Sequence, residues 1–366
     1  MSAATATIYV NGKFLAQAIT GVQRFAYGVV RALDAYLAGQ ALSCRVVLLI
    51  PPGGREMAGL RFIQQRRLGF SGVSLTLWEQ LCLPFFARDG VLLCLSGSAP
   101  LLAATCIPTI HDAAVFIHPA AYSRLFIFWY RLLFFWRAIS APFVLTVSHS
   151  SADDLRKFIR CKAFRIIYNS AEHITAVAPD LQVLSRFSLQ RGQYILAVGS
   201  KNPTKNFARL IQAYSMLEGR KSMPLVIVGR VNPAVFGHEA AGAGNDGVIW
   251  AGGVEDEALR ALYENAAFFV FPSLYEGFGI PPLEAMSCGC PVAASRIAAI
   301  SEVCRDAVFY FDPGNAQEMA TVMSQLLDDA VLRDSLLSQG KRHSEHFSWD
   351  KSAAQLVAAL REFDIV

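Results

Sequence analysis

The sequence predicts an α/β chain of two doubly wound, Rossmann-like domains facing a central cleft. Three observations carry that prediction. Apolar runs of strand length alternate with segments whose apolar residues recur at helical period. The alternation lapses at a polar stretch, Asp180–Arg191, and restarts at Tyr194. Finally, 366 residues with 54% apolar and 17% charged side chains are enough for two ordinary cores.

Taken in order, Ile8–Val10 reads as a first strand. Val22, Phe25, Ala26, Val29, Val30, Leu33 and Leu37 then mark a helix packed on a sheet. Val46–Ile50 reads as a strand ended by Pro51-Pro52-Gly53-Gly54, and Leu75–Leu77, Val91–Leu95 and Thr109-Ile110 as further short strands. Val144–Val147 precedes a Ser148–Ser151 cap and a helix from Ala152, and Arg165–Tyr168 closes the first half. The expected domains are residues 1–179, a linker at 180–193, and a second domain at 194–347. A terminal helix at 348–366 is placed to pack back on the first. In the second domain, Tyr194–Val198, Leu225–Val228, Val248–Trp250, Ala267–Phe271, Val292–Ala294 and Val308–Phe311 read as strands. Gly242–Gly247 matches GxGxxG but precedes a strand instead of following one, so it reads as a loop.

The chemistry is concentrated in Pro272–Pro291, PSLYEGFGIPPLEAMSCGCP. A buried strand leads into Gly277 and Gly279, and Pro281-Pro282 supply the fixed φ of a first helical turn. Strand, glycine loop and helix N-terminus together predict an anion site. Glu276 and Glu284 frame it; as carboxylates they repel phosphate and accept from hydroxyls instead. Phosphates in the middle with hydroxyl-bearing rings at both ends describe a nucleotide sugar. Lys205 ends the loop Gly199–Asn206, where positive charge is available to a departing diphosphate; a solvated lysine at a helix start is the alternative. His111 follows a short strand and is placed to hydrogen-bond a sugar or an acceptor hydroxyl.

The spacing Glu-x7-Glu in this stretch resembles the signature of family 4 of the retaining glycosyltransferases, whose architecture is GT-B. The resemblance runs from Val10 through the terminal helix and is most specific between Val248 and Asp312. It implies that Glu276 contacts the donor sugar and that Glu284 grips the ribose hydroxyls. Lys205 would bind the diphosphate, with Gly277, Phe278, Gly279 and Ile280 alongside. Many members carry an arginine in the loop that here holds Ser200 and Thr204, so a second cation falls to Lys201 or Arg230. Gly21 resembles the glycine lying under the donor sugar, and Gln23, Arg24 and Asn169 resemble acceptor-side residues. The segment TIHDAAVFIHP gives His111 its family counterpart.

The implied activity is metal-independent transfer of a hexose, with GDP-mannose a candidate donor, to a lipid-linked saccharide in polysaccharide biosynthesis. No cofactor is expected, and the sequence contains no DxD pair to hold a metal. Two other readings stay open: a nucleotide-sugar epimerase of the same fold, and a non-catalytic, membrane-associated nucleotide-sugar-binding protein. The net charge of +4 is too mild for nucleic acid but suits an anionic membrane. Eight scattered cysteines without CxxC argue against a zinc cluster or a disulfide framework and fit reduced thiols in a cytoplasm, and no signal peptide is evident. Leu125–Trp136, LFIFWYRLLFFW, is too short to span a bilayer. It reads either as a core helix or as an interfacial one whose arginines meet lipid phosphates on the inner face of the cell membrane.

Overall fold

The computed structural model describes residues 6–39, 44–200, 202–218, 222–229 and 247–366. The chain divides into two units, Met1–Ser170 with Ser348–Val366, and Ala171–Phe347.

The first unit holds β1 (Ala6–Asn11), β2 (Cys44–Ile50), β3 (Gln64–Arg67), β4 (Val91–Cys94) and β5 (Cys106–Pro108), paired in the order β3-β2-β1-β4-β5. All pairs are parallel, with Val10 opposite Leu48 and Leu93. Two more strands, β6 (Val144–Thr146) and β7 (Phe164–Ile166), pair with each other. They join the sheet through a bridge between Thr109 and Leu145. The second unit holds β8 (Ile195–Val198), β9 (Leu225–Val228), β10 (Val248–Gly252), β11 (Phe268–Phe271), β12 (Val292–Ser295) and β13 (Phe309–Phe311). Their order is β10-β9-β8-β11-β12-β13. In both units the order reverses beside the first strand, between β1 and β4 and between β8 and β11. Crevices at the carboxyl ends of such strands are where doubly wound sheets bind ligands.

Each core follows from burial on both sheet faces. Ile195, Ala197, Leu225, Ile227, Phe268 and Val270 pack under the helices Phe207–Ser215 and Ala316–Asp328. In the first unit the terminal helix Trp349–Glu362 lies against the helix Gly21–Gly39. A Cβ at Gly28 would sit 2.2 Å from the Trp349 ring, so this close approach requires glycine.

Three sequence expectations are corrected, and one strand had not been foreseen. Leu75–Leu77 opens a helix, Leu75–Phe86, because the Ser74 side chain accepts from Leu77 N and Trp78 and Leu83 are buried. The strand β3, QQRR, carries no apolar signal. Its approach is fixed from another element, by Asp34 accepting from the backbone N–H groups of Phe62 (2.8 Å) and Ile63 (2.7 Å). The helix expected from Ala152 begins at His149, with Ser148 as its cap. Residues 180–193 are no linker. They belong to the second unit, contain the helix Gln182–Arg186, and donate from Asp180 N to Glu257 O and from Gly192 N to Asn265 O.

Candidate active site

In the second unit the loops after β8 and β11 are tied across the reversal point. Asn206 takes a left-handed conformation, φ 58°, and donates to the carbonyls of Pro272 (3.0 Å) and Pro313 (2.9 Å). Leu274 N donates to Thr204 O at 2.7 Å. This stitching brings Lys205 Nζ to 2.5 Å from Glu276 Oε1 and to 5.5 Å from the centre of the Phe271 ring. Both side chains are largely but not fully buried, at 18% and 13% exposure, so the pair is reachable from the crevice. Beside it starts the helix Ile280–Ser287, with proline in its first turn and Gly279 as N-cap at φ 95°. A Cβ at Gly279 would also lie 2.2 Å from Ile300 Cδ1, so glycine is required twice over. Gly289, φ 71°, follows the helix end in the left-handed region.

Glu284 stands in that helix and is buried, at 4% exposure. His173 Nε2 lies 2.8 Å from its Oε1, and the Tyr263 hydroxyl donates to its Oε2 at 3.0 Å. Burial and the adjoining carboxylate hold the Tyr263 phenol protonated, well above its ordinary range. Phe278 is packed edge-on against Phe347 and fills the core, while Ile280 is half-buried and Ser200 exposed. Lys201 and Arg230 lie outside the described residues.

In the first unit the corresponding crevice is a cavity of about 240 Å³ bordered by Gln23, Gly97, Ser98 and His111. Gly97, φ 75°, faces the His111 ring without a side chain of its own. His111 Nε2 is 3.0 Å from Leu95 O, and the Phe25 ring stands edge-on to the imidazole at 5.1 Å. Burial lowers its pKa to about 4, against the opposing pull of the Leu95 carbonyl, so the ring is neutral at physiological pH. Nε2 carries the proton toward that carbonyl, which leaves Nδ1 the accepting nitrogen. Gln23 caps the helix Gly21–Gly39 locally, accepting from Thr20 N at 3.2 Å and donating to Gln17 at 3.2 Å. Gly21 is exposed next to this cap. Arg24 and Asn169 do not border the cavity; Asn169 is buried and its Oδ1 has no hydrogen-bond partner.

Beneath this cavity lies a network that sequence reading missed. Glu79 accepts from Lys13 Nζ (2.8 Å), Asn11 Nδ2 (2.8 Å) and Ser98 Oγ (2.7 Å). The signal was obscured because Glu79 lies just beyond Leu75–Leu77, the segment taken for a strand, and 66 residues from Lys13. His173 and Tyr263 went unremarked for the same reason, being 111 and 21 residues from Glu284. Among the described residues no three His, Cys, Asp or Glu side chains are grouped to hold a metal ion.

Residues 186–343 match the family described as glycosyl transferases group 1. The O-antigen chain mannosyltransferase B of Escherichia coli is 31% identical over 265 residues, 70% of this chain and 70% of that one. Sucrose-phosphate synthase from Thermosynechococcus elongatus has a similar structure, with a TM-score of 0.73 at 18% identity over 98% of each chain. Anabaena Alr3699/HepE in complex with UDP and glucose gives 0.72 at 15% identity, over 98% of this chain and 100% of that one. Two parallel sheets of five and six strands with these likenesses define the GT-B class. The chain belongs to the group 1 glycosyl transferases, family 4 of the glycosyltransferases.

Proposed function

We propose that this glycosyltransferase moves a mannosyl group from GDP-mannose to a lipid-linked saccharide, with retention at the anomeric carbon and without a metal ion. The observation that carries the reading is the Lys205–Glu276 pair beside a helix N-terminus: a cation for phosphate and a carboxylate for hydroxyls, held together at a reversal point. The E. coli relative, named as an O-antigen chain mannosyltransferase, supports mannose and a polysaccharide product.

In this reading the donor diphosphate draws Lys205 away from Glu276, and Glu276 then accepts from a hydroxyl of the sugar. The bond from the anomeric carbon to the diphosphate oxygen breaks, and Lys205 with the Gly277–Gly279 backbone stabilises the charge that departs. The acceptor oxygen bonds to the same face of that carbon, and its proton passes to the departing diphosphate oxygen. Glu284 holds the ribose, and Ser200, Ile280, Lys201 and Arg230 complete the donor side. Neutral His111 hydrogen-bonds the transferred sugar or the acceptor hydroxyl, with Gly21 under the donor sugar and Gln23, Arg24 and Asn169 toward the acceptor.

The acceptor's lipid places the enzyme on a membrane surface, the inner face of the cell membrane in this reading. No helix among the described residues is long and apolar enough to cross a membrane. The helix Arg124–Ser140, however, leaves Leu125, Phe128, Leu132, Phe135, Trp136 and Ile139 exposed. The helix Leu75–Phe86 adds Leu77, Leu81 and Phe85. The two helices meet at one loop: Gln80 and Trp136 each donate to it, at Ala99 O and Leu101 O. Leu102 on that loop is 79% exposed. An apolar surface drawn from two helices and a loop is larger than scattered exposure explains. The arginines contribute less than the sequence implied. Arg131 donates to Val115 O and stands over the Phe116 ring, and buried Arg137 donates to Leu101 O and Ala103 O. Arg124 remains exposed.

Turnover with GDP-mannose and UDP-hexoses, in the presence of a lipid extract, tests the reading. Mannose should appear in the glycolipid fraction. Preference for a UDP-sugar overturns the donor, and release of free mannose with no glycolipid overturns the acceptor.

A further inference from the structure

Asn206 is the N-cap of the helix Phe207–Ser215, and asparagine is among the side chains best suited to cap a helix. Here its side chain makes no capping bond. The backbone instead turns left-handed, φ 58° and ψ 29°, between the single turn Pro203–Lys205 and the helix. The amide serves other loops. Nδ2 donates to Pro272 O at 3.0 Å and to Pro313 O at 2.9 Å, and Oδ1 accepts from Arg209 Nη1 at 3.3 Å. Arg209 Nη1 also donates to Pro313 O, at 3.1 Å. Both amide hydrogens and the amide oxygen are therefore engaged, on a residue only 8% exposed.

These partners come from different parts of the sheet. Asn206 follows β8, Pro272 follows β11 and Pro313 follows β13, with β12 between the last two. One side chain clips three loops together directly beside Lys205. The clip matters most once a donor has arrived. A diphosphate that draws Lys205 from Glu276 breaks the ion pair joining two of those loops, at the stage where their register counts. The ties that lie behind the pair, from Asn206 Nδ2 and from Leu274 N to Thr204 O, stay in place. Misplacing a charged group by about 1 Å is enough to slow a chemical step severely.

We propose that Asn206 is a positioning residue, which acts through Lys205 to hold that cation in place while the bond from sugar to diphosphate breaks. The chemical step in this proposal rests on the transfer reading above; the placement of Lys205 by Asn206 does not. A residue that only stabilised the unit would lower Tm and leave the folded enzyme with wild-type kinetics.

Asn206→Gly is the test variant, because glycine keeps the left-handed conformation and removes every side-chain bond. Asn206→Asp, which also tolerates that conformation but cannot donate, is measured alongside it in case the first does not fold. In transfer assays kcat should fall roughly 10- to 100-fold, with donor KM changed less than about threefold. In a Lys205→Ala background the same change should cost no more than about a further twofold, since its effect passes through the missing lysine. A second measurement needs no turnover. Labelling of Lys205 by an amine-reactive ester, read by peptide mass spectrometry, should quicken several-fold in either variant, with exposed Lys341 unchanged. Faster labelling without any transfer by wild type would sink the proposed function and leave the positioning role standing. Wild-type kcat in a folded variant, losses that multiply in the double variant, or an unchanged labelling rate at Lys205 overturns it.

Discussion

His173 Nε2 and Glu284 Oε1 are 2.8 Å apart, so an imidazole shares the carboxylate assigned to the ribose. With Tyr263 on the other oxygen, Glu284 is aimed and desolvated before any ligand arrives. Removing it by Glu284→Ala would leave two buried partners unmatched, at about 1–3 kcal/mol of stability each. The informative variant is therefore Glu284→Gln. It is expected to raise donor KM by roughly tenfold or more with kcat nearly kept, from the loss of about 1.5–3 kcal/mol in charge-assisted hydrogen bonding. His173→Ala should raise donor KM by a smaller factor. Steady-state kinetics with a 2′-deoxyribose donor provides the check. The deoxy donor should bind wild type poorly and lose little more in Glu284→Gln; equal losses in both proteins would remove the ribose assignment.

Lys205→Ala should act on the chemical step. Negative charge on the diphosphate grows toward the transition state, so the loss falls on kcat by on the order of 100-fold. The variant also leaves Glu276, at 13% exposure, without its cation, and a lower Tm is expected. Single-turnover rates at saturating donor decide between a kcat effect and plain ground-state binding, which would appear in KM alone.

His111 gives a pH signature. Its folded pKa of about 4 is below the ordinary 6.5, so between those values the unfolded chain binds the extra proton. Stability from this group is complete above pH 6.5 and is lost as pH falls from about 6.5 to about 4. Denaturant melts of wild type and His111→Gln should converge as the pH is lowered through that window. Parallel curves would show that the ring is not buried neutral. The same shift predicts no inflection from His111 near pH 6.5 in the kcat profile.

At the membrane, the two-helix apolar surface should bind liposomes, at about 1.5–3 kcal/mol for each large side chain fully buried. Co-sedimentation with anionic liposomes should weaken when Leu125 and Phe128 are changed to Ser, and again when Leu81 and Phe85 are. High salt should release only part of the protein, because Arg131 and Arg137 are engaged within the fold. Loss of binding with the first pair alone would confine contact to one helix.

Chelation offers a further check. With no DxD pair in the sequence, turnover in EDTA should match turnover without it, and the product should keep the donor's anomeric configuration. Abolition by EDTA with rescue by manganese would require a different account of the leaving group.

The sequence was readable wherever the physics is local. The run Phe268–Phe271, the prolines after Gly279 and the apolar period after Gly21 each announce an element within a few residues. Lys205 and Glu276 could be placed near one crevice because strand ends and loop lengths position them, even 71 residues apart. What stayed hidden depends on pairing at a distance. QQRR becomes a strand only because Asp34 holds the chain before it, and Leu75–Leu77 turned helical on the strength of Ser74 and the burial of Trp78. Composition alone gave no reason to couple His173 or Tyr263 to Glu284.

The Lys13–Glu79 pair distinguishes two halves that are otherwise alike in strand order. It occupies the first unit where a doubly wound sheet would otherwise receive phosphate, and both side chains are almost wholly withdrawn from solvent, at 9% and 1%. An ammonium already neutralised there has no charge to offer an incoming anion. On the proposed reading the second unit alone takes up the nucleotide, and titration calorimetry with GDP is expected to saturate at a single equivalent per chain.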